Sequence, residues 1–323
     1  MKRIAVLSSG GDSPGMNAFI RSVIRATIAK GMEAFGVMRG YQGLIDADIE
    51  PMGKRSVSNI IQRGGTILHT ARCDEFKTQK GLRTAIRNLN SHGIDGLVVL
   101  GGDGSLTGAL KLHKAGFSVI GAPGTIDNDL SGTEMAIGVD TALNTVLDAI
   151  DKIKDTASSH QRAFLVEVMG RHCGYIALIS GIIGGAEMIC IPEKPFELDD
   201  VLNVVEKAYI NGKTNCLIVV AEGAKYSSRD IKEKLDACKE EAGFETRETI
   251  LGHIQRGGSP TAFDRLLATR LGAAAVDQLL AGESGKMVGL VGNKVVTTPI
   301  EKILKNRKKL DMGLYELSKI LEF

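Results

Sequence analysis

The chain has no tryptophan, only 7 prolines, aromatic residues at 4% and almost no net charge, +2 over 323 residues. The near-neutral balance gives no general electrostatic attraction to nucleic acid or to an anionic membrane, so any bound anion must be held locally. No run of about 18 apolar residues occurs, which excludes a membrane-spanning helix of the ordinary kind. The stretch Ile4 to Leu7 behind Met1-Lys2-Arg3 is too short for a secretory signal. The five cysteines, Cys73, Cys173, Cys190, Cys216 and Cys238, form no CxxC or other metal-ligand spacing. They read as free thiols in a reducing compartment, which points to the cytoplasm. Glycine, by contrast, is plentiful at 39 residues, and the glycines cluster just after apolar runs. That placement marks tight turns where backbone approaches a ligand.

A chain of this length exceeds the size at which one hydrophobic core stops growing, so two lobes with a cleft between them are expected. Short β-branched runs near Ile4 to Ser9, Ala34 to Arg39, Leu97 to Gly101, Val119 to Ala122, Phe164 to Met169, Met188 to Ile191, Leu217 to Ala221 and Met287 to Val291 predict strands. Amphipathic helical text lies between them. Strands apolar on both faces that alternate with helices imply mostly parallel sheets covered by helices, that is, an α/β protein with three-layer α/β/α lobes. Ligands in such folds bind beyond the carboxyl ends of the strands, and here those ends read SSGGD, LGGDG, APGTIDND, EVMGR and VAEG.

Two of the glycine-rich stretches are decoys. The loop Ser8 to Asn17 carries Met16-Asn17 where a P-loop needs Lys-Ser/Thr, and Gly212-Lys213-Thr214 has Lys207 where the leading glycine should stand. The run Leu97 to Leu100 instead delivers Gly101-Gly102-Asp103-Gly104-Ser105 to the start of a helix, where free N–H groups and the helix dipole favour phosphate oxygens. The spacing on to Gly108 is one residue too long for the dinucleotide fingerprint. Asp103 offers the hard oxygen ligand that Mg²⁺ accepts beside waters and phosphates, although an isolated GGDG reads equally well as an Asp helix cap. The next loop, Pro123-Gly124-Thr125-Ile126-Asp127-Asn128-Asp129, brings two carboxylates two residues apart. Near a cation and a triphosphate they suit a base and its electrostatic support, and otherwise an Asx-turn pair.

GGDGS and PGTIDND, with EVMGR at Glu167 to Arg171 and GHIQRGGSPTAFDR at Gly252 to Arg265, resemble the bacterial ATP-dependent 6-phosphofructokinase family. The likeness runs in order from SGGDSPGMN near residue 9 to the C-terminal helix. It implies transfer of phosphate from MgATP to the 1-hydroxyl of fructose 6-phosphate, with an ATP-binding lobe over residues 1–138 and 251–305. A sugar-phosphate lobe would cover 139–250 and 306–323.

By the same resemblance, Gly11, Arg72, Cys73 and Gly102 to Ser105, which includes Gly104, hold ATP, and Asp103 binds Mg²⁺. Asp127 takes the proton of the 1-hydroxyl, with Thr125 beside it and Asp129 assisting electrostatically. Arg171 stabilises charge on the transferred phosphoryl group. It reads otherwise as a surface arginine at a helix start, where a cation without an anion is awkward. The sugar phosphate is met by Thr125, Ile126, Asp127, Met169, Gly170, Arg171 and Glu222, and its 6-phosphate by Arg162, Arg247, His253 and Arg256. Arg162 and Arg247 serve a neighbouring subunit in such enzymes, so a homotetramer is expected. Pyrophosphate-dependent relatives have aspartate and lysine where this chain has Gly104 and Gly124, which favours ATP and leaves pyrophosphate as the alternative donor.

A candidate effector site gathers Arg21, Arg25, Lys154, Gly185, Glu187, Asn211, Lys213 and Asn215. Asn211 and Asn215 stand where relatives often have basic residues, so weakened regulation is expected. Leu106, Val139 and Tyr175 also depart from common choices in the family. A non-catalytic nucleotide sensor on this scaffold would show erosion at Asp103, Asp127 or Arg171, and all three are intact. A kinase acting on NAD or lipid lacks the TIDND and GHIQR segments.

Overall fold

A computed structural model describes residues 1–157 and 161–321. The last two residues of the range expected for the second lobe, and three residues within it, lie outside the described residues. The chain divides into two compact units, one of residues 1–141 and 256–308 and one of residues 142–255 and 309–323.

The first unit opens with β1 (Arg3–Ser8), α1 (Met16–Ala29), β2 (Glu33–Val37), α2 (Tyr41–Asp46) and β3 (Ile49–Pro51). It continues with α3 (Gln79–Ser91), β4 (Gly96–Gly101), α4 (Asp103–Lys114), β5 (Val119–Pro123) and the start of α5 (Val139–Ala157). The second unit holds the rest of α5, then β6 (Arg162–Val168), α6 (Tyr175–Gly184), β7 (Met188–Cys190), α7 (Leu198–Ile210) and β8 (Asn215–Ala221). α8 (Ser228–Ala237), α9 (Lys239–Ala242) and β9 (Glu245–Ile250) follow. The chain then returns to the first unit with α10 (Ala262–Leu280), β10 (Lys286–Val291), β11 (Lys294–Pro299) and α11 (Ile300–Lys305), and ends in the second with α12 (Met312–Ile320).

The first sheet runs β11-β10-β5-β4-β1-β2-β3; its five central strands are parallel and the two edge strands antiparallel. Successive residues of its strands supply opposite faces. Ile4, Val6, Val98 and Leu100 pack with α1 and α10, whereas Ala5, Leu7, Leu97 and Val99 pack with α3, α4 and α11. That is the physical reason the strands read as unbroken apolar text. The helix after β1 and the helix after β4 therefore cover opposite faces, and a crevice opens between the carboxyl ends of these neighbouring strands.

The second sheet, β7-β8-β6-β9, is wholly parallel. One face packs on α7 and α8 through Leu165, Ile218, Val220, Val205 and Leu235. Against the other lies α6, where Gly181 lets Ile189 come close and Gly184 does the same for Ile150 of α5. Both units are thus three-layered α/β, with seven strands in one and four in the other. No described helix is long and apolar enough to cross a membrane.

Three strands escape the apolar-run criterion. β3 is three residues long, and β9, ETRETI, is a largely polar edge. β11 returns from β10 through Gly292-Asn293, both at positive φ as a tight hairpin turn requires.

Candidate functional site

In the first unit the loops after β1, β4 and β5 meet along one edge of the sheet. Ser9 N–H donates to Leu100 O at 3.0 Å, and Gly124 N–H to Gly101 O at 3.0 Å. Ser105, buried in the first turn of α4, donates its hydroxyl to Ser9 O at 2.9 Å and so ties the β1 and β4 loops together. A side chain on Gly101 would collide with Ser9 O and the Ser105 hydroxyl, so only glycine permits this approach. The buried Tyr41 donates to Ser105 O at 2.6 Å and stacks on Phe76 with ring centroids 4.2 Å apart. One ring thereby links the start of α4 to the segment that carries Arg72 and Cys73. Arg72 is exposed, while Cys73 packs partly against the core beneath.

Gly102, not Asp103, is the N-cap of α4. The cap reading of Asp103 therefore falls away. Asp103 is the first helical residue, and among the described residues its exposed carboxylate accepts no hydrogen bond. A single free carboxylate beside unpaired helix N–H groups fits a Mg²⁺ ion whose remaining ligands are phosphate oxygens and water. No group of three or more His, Cys, Asp or Glu side chains able to hold a metal occurs among the described residues.

The two glycines that bear on the donor differ physically. A Cβ at Gly104 would meet nothing within 4 Å, so any side chain there would project into open space in front of the helix. At Gly124 it would lie 2.8 Å from Leu100 Cδ1, so a larger residue there requires repacking beneath the loop.

Thr125 stands beside Gly102, 3.7 Å from the place its Cβ would occupy, and its hydroxyl accepts the Asp127 N–H at 3.3 Å. Between the two aspartates Asn128 is buried at φ 52°. Asparagine tolerates this left-handed conformation better than most residues. Its side chain donates to Glu134 O at 3.1 Å and accepts from Ala136 N–H at 3.1 Å, clamping the turn that carries Asp127 and Asp129. Further along, the buried Asp264 accepts from Gly138 N–H at 2.9 Å and from the Thr141 amide and hydroxyl at 2.8 and 2.6 Å, capping α5. Burial raises its pKa above the ordinary carboxylate value, opposed by these three donors. Thr261, the cap of α10, answers by donating to Asp140 at 2.6 Å. Asn128, Tyr41 and Asp264 were not singled out from sequence. Only Asp264 carried a local signal, the T-x-x-D spacing of a capped helix.

Arg256 lies directly over Gly11, and a Cβ on Gly11 would occupy the place of its guanidinium. Both residues belong to the first unit, whereas His253 belongs to the second.

In the second unit the remaining residues fall at opposite ends of one sheet. At the carboxyl ends of β6 and β8 stand Met169, Gly170, Arg171 and Glu222. Glu222 N–H donates to Val168 O at 2.8 Å and Gly223 N–H to Gly170 O at 3.2 Å, and any side chain on Gly223 would strike Arg171 O. The buried Gln255 accepts from Met169 N–H at 3.2 Å and donates to Gly252 O at 2.9 Å, which fastens the turn carrying His253 to the same end. Arg171 and His253 are exposed. Helix α6 begins only at Tyr175, and Glu193 accepts the Gly174 N–H at its start at 2.9 Å. Glu193 thus supplies this helix start with the anion that the local sequence around Arg171 lacks.

Arg162 stands at the other end and Arg247 two residues in from it. Arg162 begins β6 opposite Glu245, and Arg247 lies opposite Phe164. Glu245 accepts from both guanidinium groups, at 3.0 Å from Arg162 and 2.5 Å from Arg247. The Arg162 hydrogen bond, with Arg247 nearby, holds the Glu245 carboxyl below its usual range. Six residues of extended strand separate Arg162 from Val168, about 20 Å.

Of the effector candidates in the second unit, Lys213 pairs with Glu187 at 3.1 Å and Lys154 donates to Gly184 O at 2.9 Å, next to Gly185. Asn211 ends α7 and Asn215 begins β8. Arg21 and Arg25 lie on α1 of the first unit. Burial, and then Arg25, lower the pKa of Arg21, and the buried Arg25 Nε has no hydrogen-bond partner among the described residues. Leu106 is fully buried, and Val139 begins α5.

The phosphofructokinase family model matches residues 3–279. The chain is 54% identical over 321 residues to the ATP-dependent 6-phosphofructokinase of Halalkalibacterium halodurans, covering 99% of each chain. It is also 54% identical over 322 residues to that of Thermotoga neapolitana, covering 99% of this chain and 100% of the other. The structure of phosphofructokinase from Saccharomyces cerevisiae aligns with all of this chain and 47% of its own, at 39% identity and a TM-score of 0.87. By the family model and these near-full-length relatives, the chain belongs to the phosphofructokinase family.

Proposed function

We propose that this chain phosphorylates D-fructose 6-phosphate at its 1-hydroxyl with MgATP, giving fructose 1,6-bisphosphate and ADP, the committed step of glycolysis. The observation that carries the reading is the adjacency of the donor and acid-bearing loops: Gly124 N–H on Gly101 O, with Thr125 beside Gly102. A phosphate seated on the start of α4 then lies next to the strand end that presents Asp127.

The donor phosphates rest against Gly11 and the N–H groups of Gly102 to Ser105, with Arg72 and Cys73 on the flanking segment. Asp103 would hold a Mg²⁺ ion together with the donor's phosphate oxygens, and the ion would supply positive charge to offset that of the donor. Asp127 takes the proton of the 1-hydroxyl as its oxygen bonds to the terminal phosphorus and the bond to the ADP oxygen breaks. Asp129 keeps the local field favourable to the proton, and Thr125 fixes the turn. Arg171, a permanent cation with rigid donors, meets charge on the phosphoryl group in flight. Ile126, Met169, Gly170 and Glu222 hold the sugar, and His253 and Arg256 its 6-phosphate.

Arg162 lies the length of β6 away from the strand end that carries Arg171, and Arg247, opposite Phe164, also lies towards the start of that strand. They serve a second copy, which supports an oligomer with shared sites, a homotetramer by family pattern. The Arg25 Nε, which has no partner among the described residues, with Arg21 one turn away, supports an anionic effector held at α1; Lys154, Gly185, Glu187, Asn211, Lys213 and Asn215 are assigned to an effector by family pattern alone. Free cysteines and a glycolytic role support a cytoplasmic location.

Asp127→Ser tests the assignment. Turnover is expected to fall at least ~10²-fold with both substrates still bound; near-normal turnover overturns Asp127 as base.

A further inference from the structure

The loop that carries Asp127 and Asp129 is fastened from several directions. Its far limb is stitched to β10: Leu290 N–H donates to the Thr133 hydroxyl at 3.0 Å, Glu134 N–H to Leu290 O at 2.7 Å, and Gly292 N–H to the Glu134 carboxylate at 3.0 Å. Its near limb follows β5. The turn between them, Asp127-Asn128-Asp129, is held by the Thr125 hydroxyl, by the Asn128 clamp and by a residue far along the chain. Lys308, the last residue of the first unit, donates its backbone N–H to Asp129 O at 3.1 Å and its ammonium to Glu134 O at 2.5 Å. The same Glu134 carbonyl accepts the Asn128 amide. Lys308 thus spans the mouth of the turn, gripping it at 129 and at 134, while Asn128 grips it from inside.

We propose that Lys308 is a positioning residue for the phosphoryl-transfer step, holding the Asp127–Asp129 turn through the Asp129 and Glu134 carbonyls. The inference rests on the reading of Asp127 as the base. The chemistry favours lysine: a carbonyl already engaged by a neutral amide gains most from a charged donor, and only a long flexible stem reaches it from the segment after α11. Loss of the ammonium leaves the Asn128 clamp and the Lys308 N–H bond to Asp129 O in place but loosens the turn at Glu134 O, the carbonyl that the clamp itself uses. Displacement of a reacting group by about 1 Å costs up to ~10²-fold in rate.

The experiment compares Lys308→Met, Lys308→Arg and Lys308→Pro in the full chain, with Asp127→Ser alongside, measuring kcat, KM for each substrate and melting temperature. Lys308→Met keeps the stem and the N–H, and is expected to lose about tenfold in kcat with both KM values little changed. Lys308→Arg restores most of the turnover, and Lys308→Pro, which also lacks the N–H, falls further. A merely structural role lowers melting temperature without this division between kcat and KM and without rescue by arginine. If Asp127→Ser loses turnover but Lys308→Met stays within about twofold of the unsubstituted enzyme, the positioning role is wrong and the base reading stands. If Asp127→Ser keeps its turnover, both fall.

Discussion

The two halves of the proposed site are built in opposite ways. In the first unit the donor half is made of main chain at strand ends, held by buried side chains that have already found their partners: Ser105 on Ser9, Tyr41 on Ser105, Asn128 on Glu134 and Ala136. In the second, the cations meant for the sugar phosphate are exposed or half-exposed and divided between the two ends of one sheet, with Arg162 and Arg247 bound to Glu245 instead of to one another's ligand. On the proposed reading the donor cradle is complete in one chain and the acceptor site is completed by a second. Preorganised N–H groups suit a charge that must be met without rearrangement, whereas exposed arginines suit a contact completed by association.

The comparison breaks most visibly at Gly104. Gly104→Asp puts a carboxylate into the open space before α4 without steric cost to the fold. It is expected to raise KM for ATP at least about 30-fold, since like charges at close range cost several kcal/mol, while KM for fructose 6-phosphate stays within twofold. An equal rise in both would mean that the donor half is not separate. A smaller effect sharpens the other side. Arg247→Ala is expected to raise KM for fructose 6-phosphate about tenfold and leave that for ATP unchanged, the loss of one charge-assisted contact. Co-assembled with Asp127→Ser chains, it should form hybrid sites that recover turnover, because one intact Asp127 and one intact Arg247 meet across an interface. Hybrids no more active than the separate variants would return Arg247 to the chain's own site.

Sequence pattern carried the layers and most strands, because burial on both faces leaves a local mark in each apolar run. It carried the glycine-rich ends too, since glycine is required wherever Ser9 and Ser105 crowd Gly101. What it did not carry depends on partners far along the chain. Tyr41 is 64 residues from Ser105, and Asp264 is 126 from Gly138. Lys308 lies 174 residues from Glu134. β9 escaped because its edge position leaves a polar alternation, and Glu193 at the start of α6 because its loop lies beyond the helix it caps. Hydrogen-bond complementarity of this kind has no local periodicity.

The central claim is that the cradle between β4 and α4 is shaped for ATP and delivers its terminal phosphoryl group to fructose 6-phosphate. A coupled assay of fructose 1,6-bisphosphate formation, with Mg²⁺ and either ATP or pyrophosphate as donor, tests it directly. The account predicts turnover with ATP and almost none with pyrophosphate; turnover with pyrophosphate equal to or above that with ATP, or none with either, would contradict it.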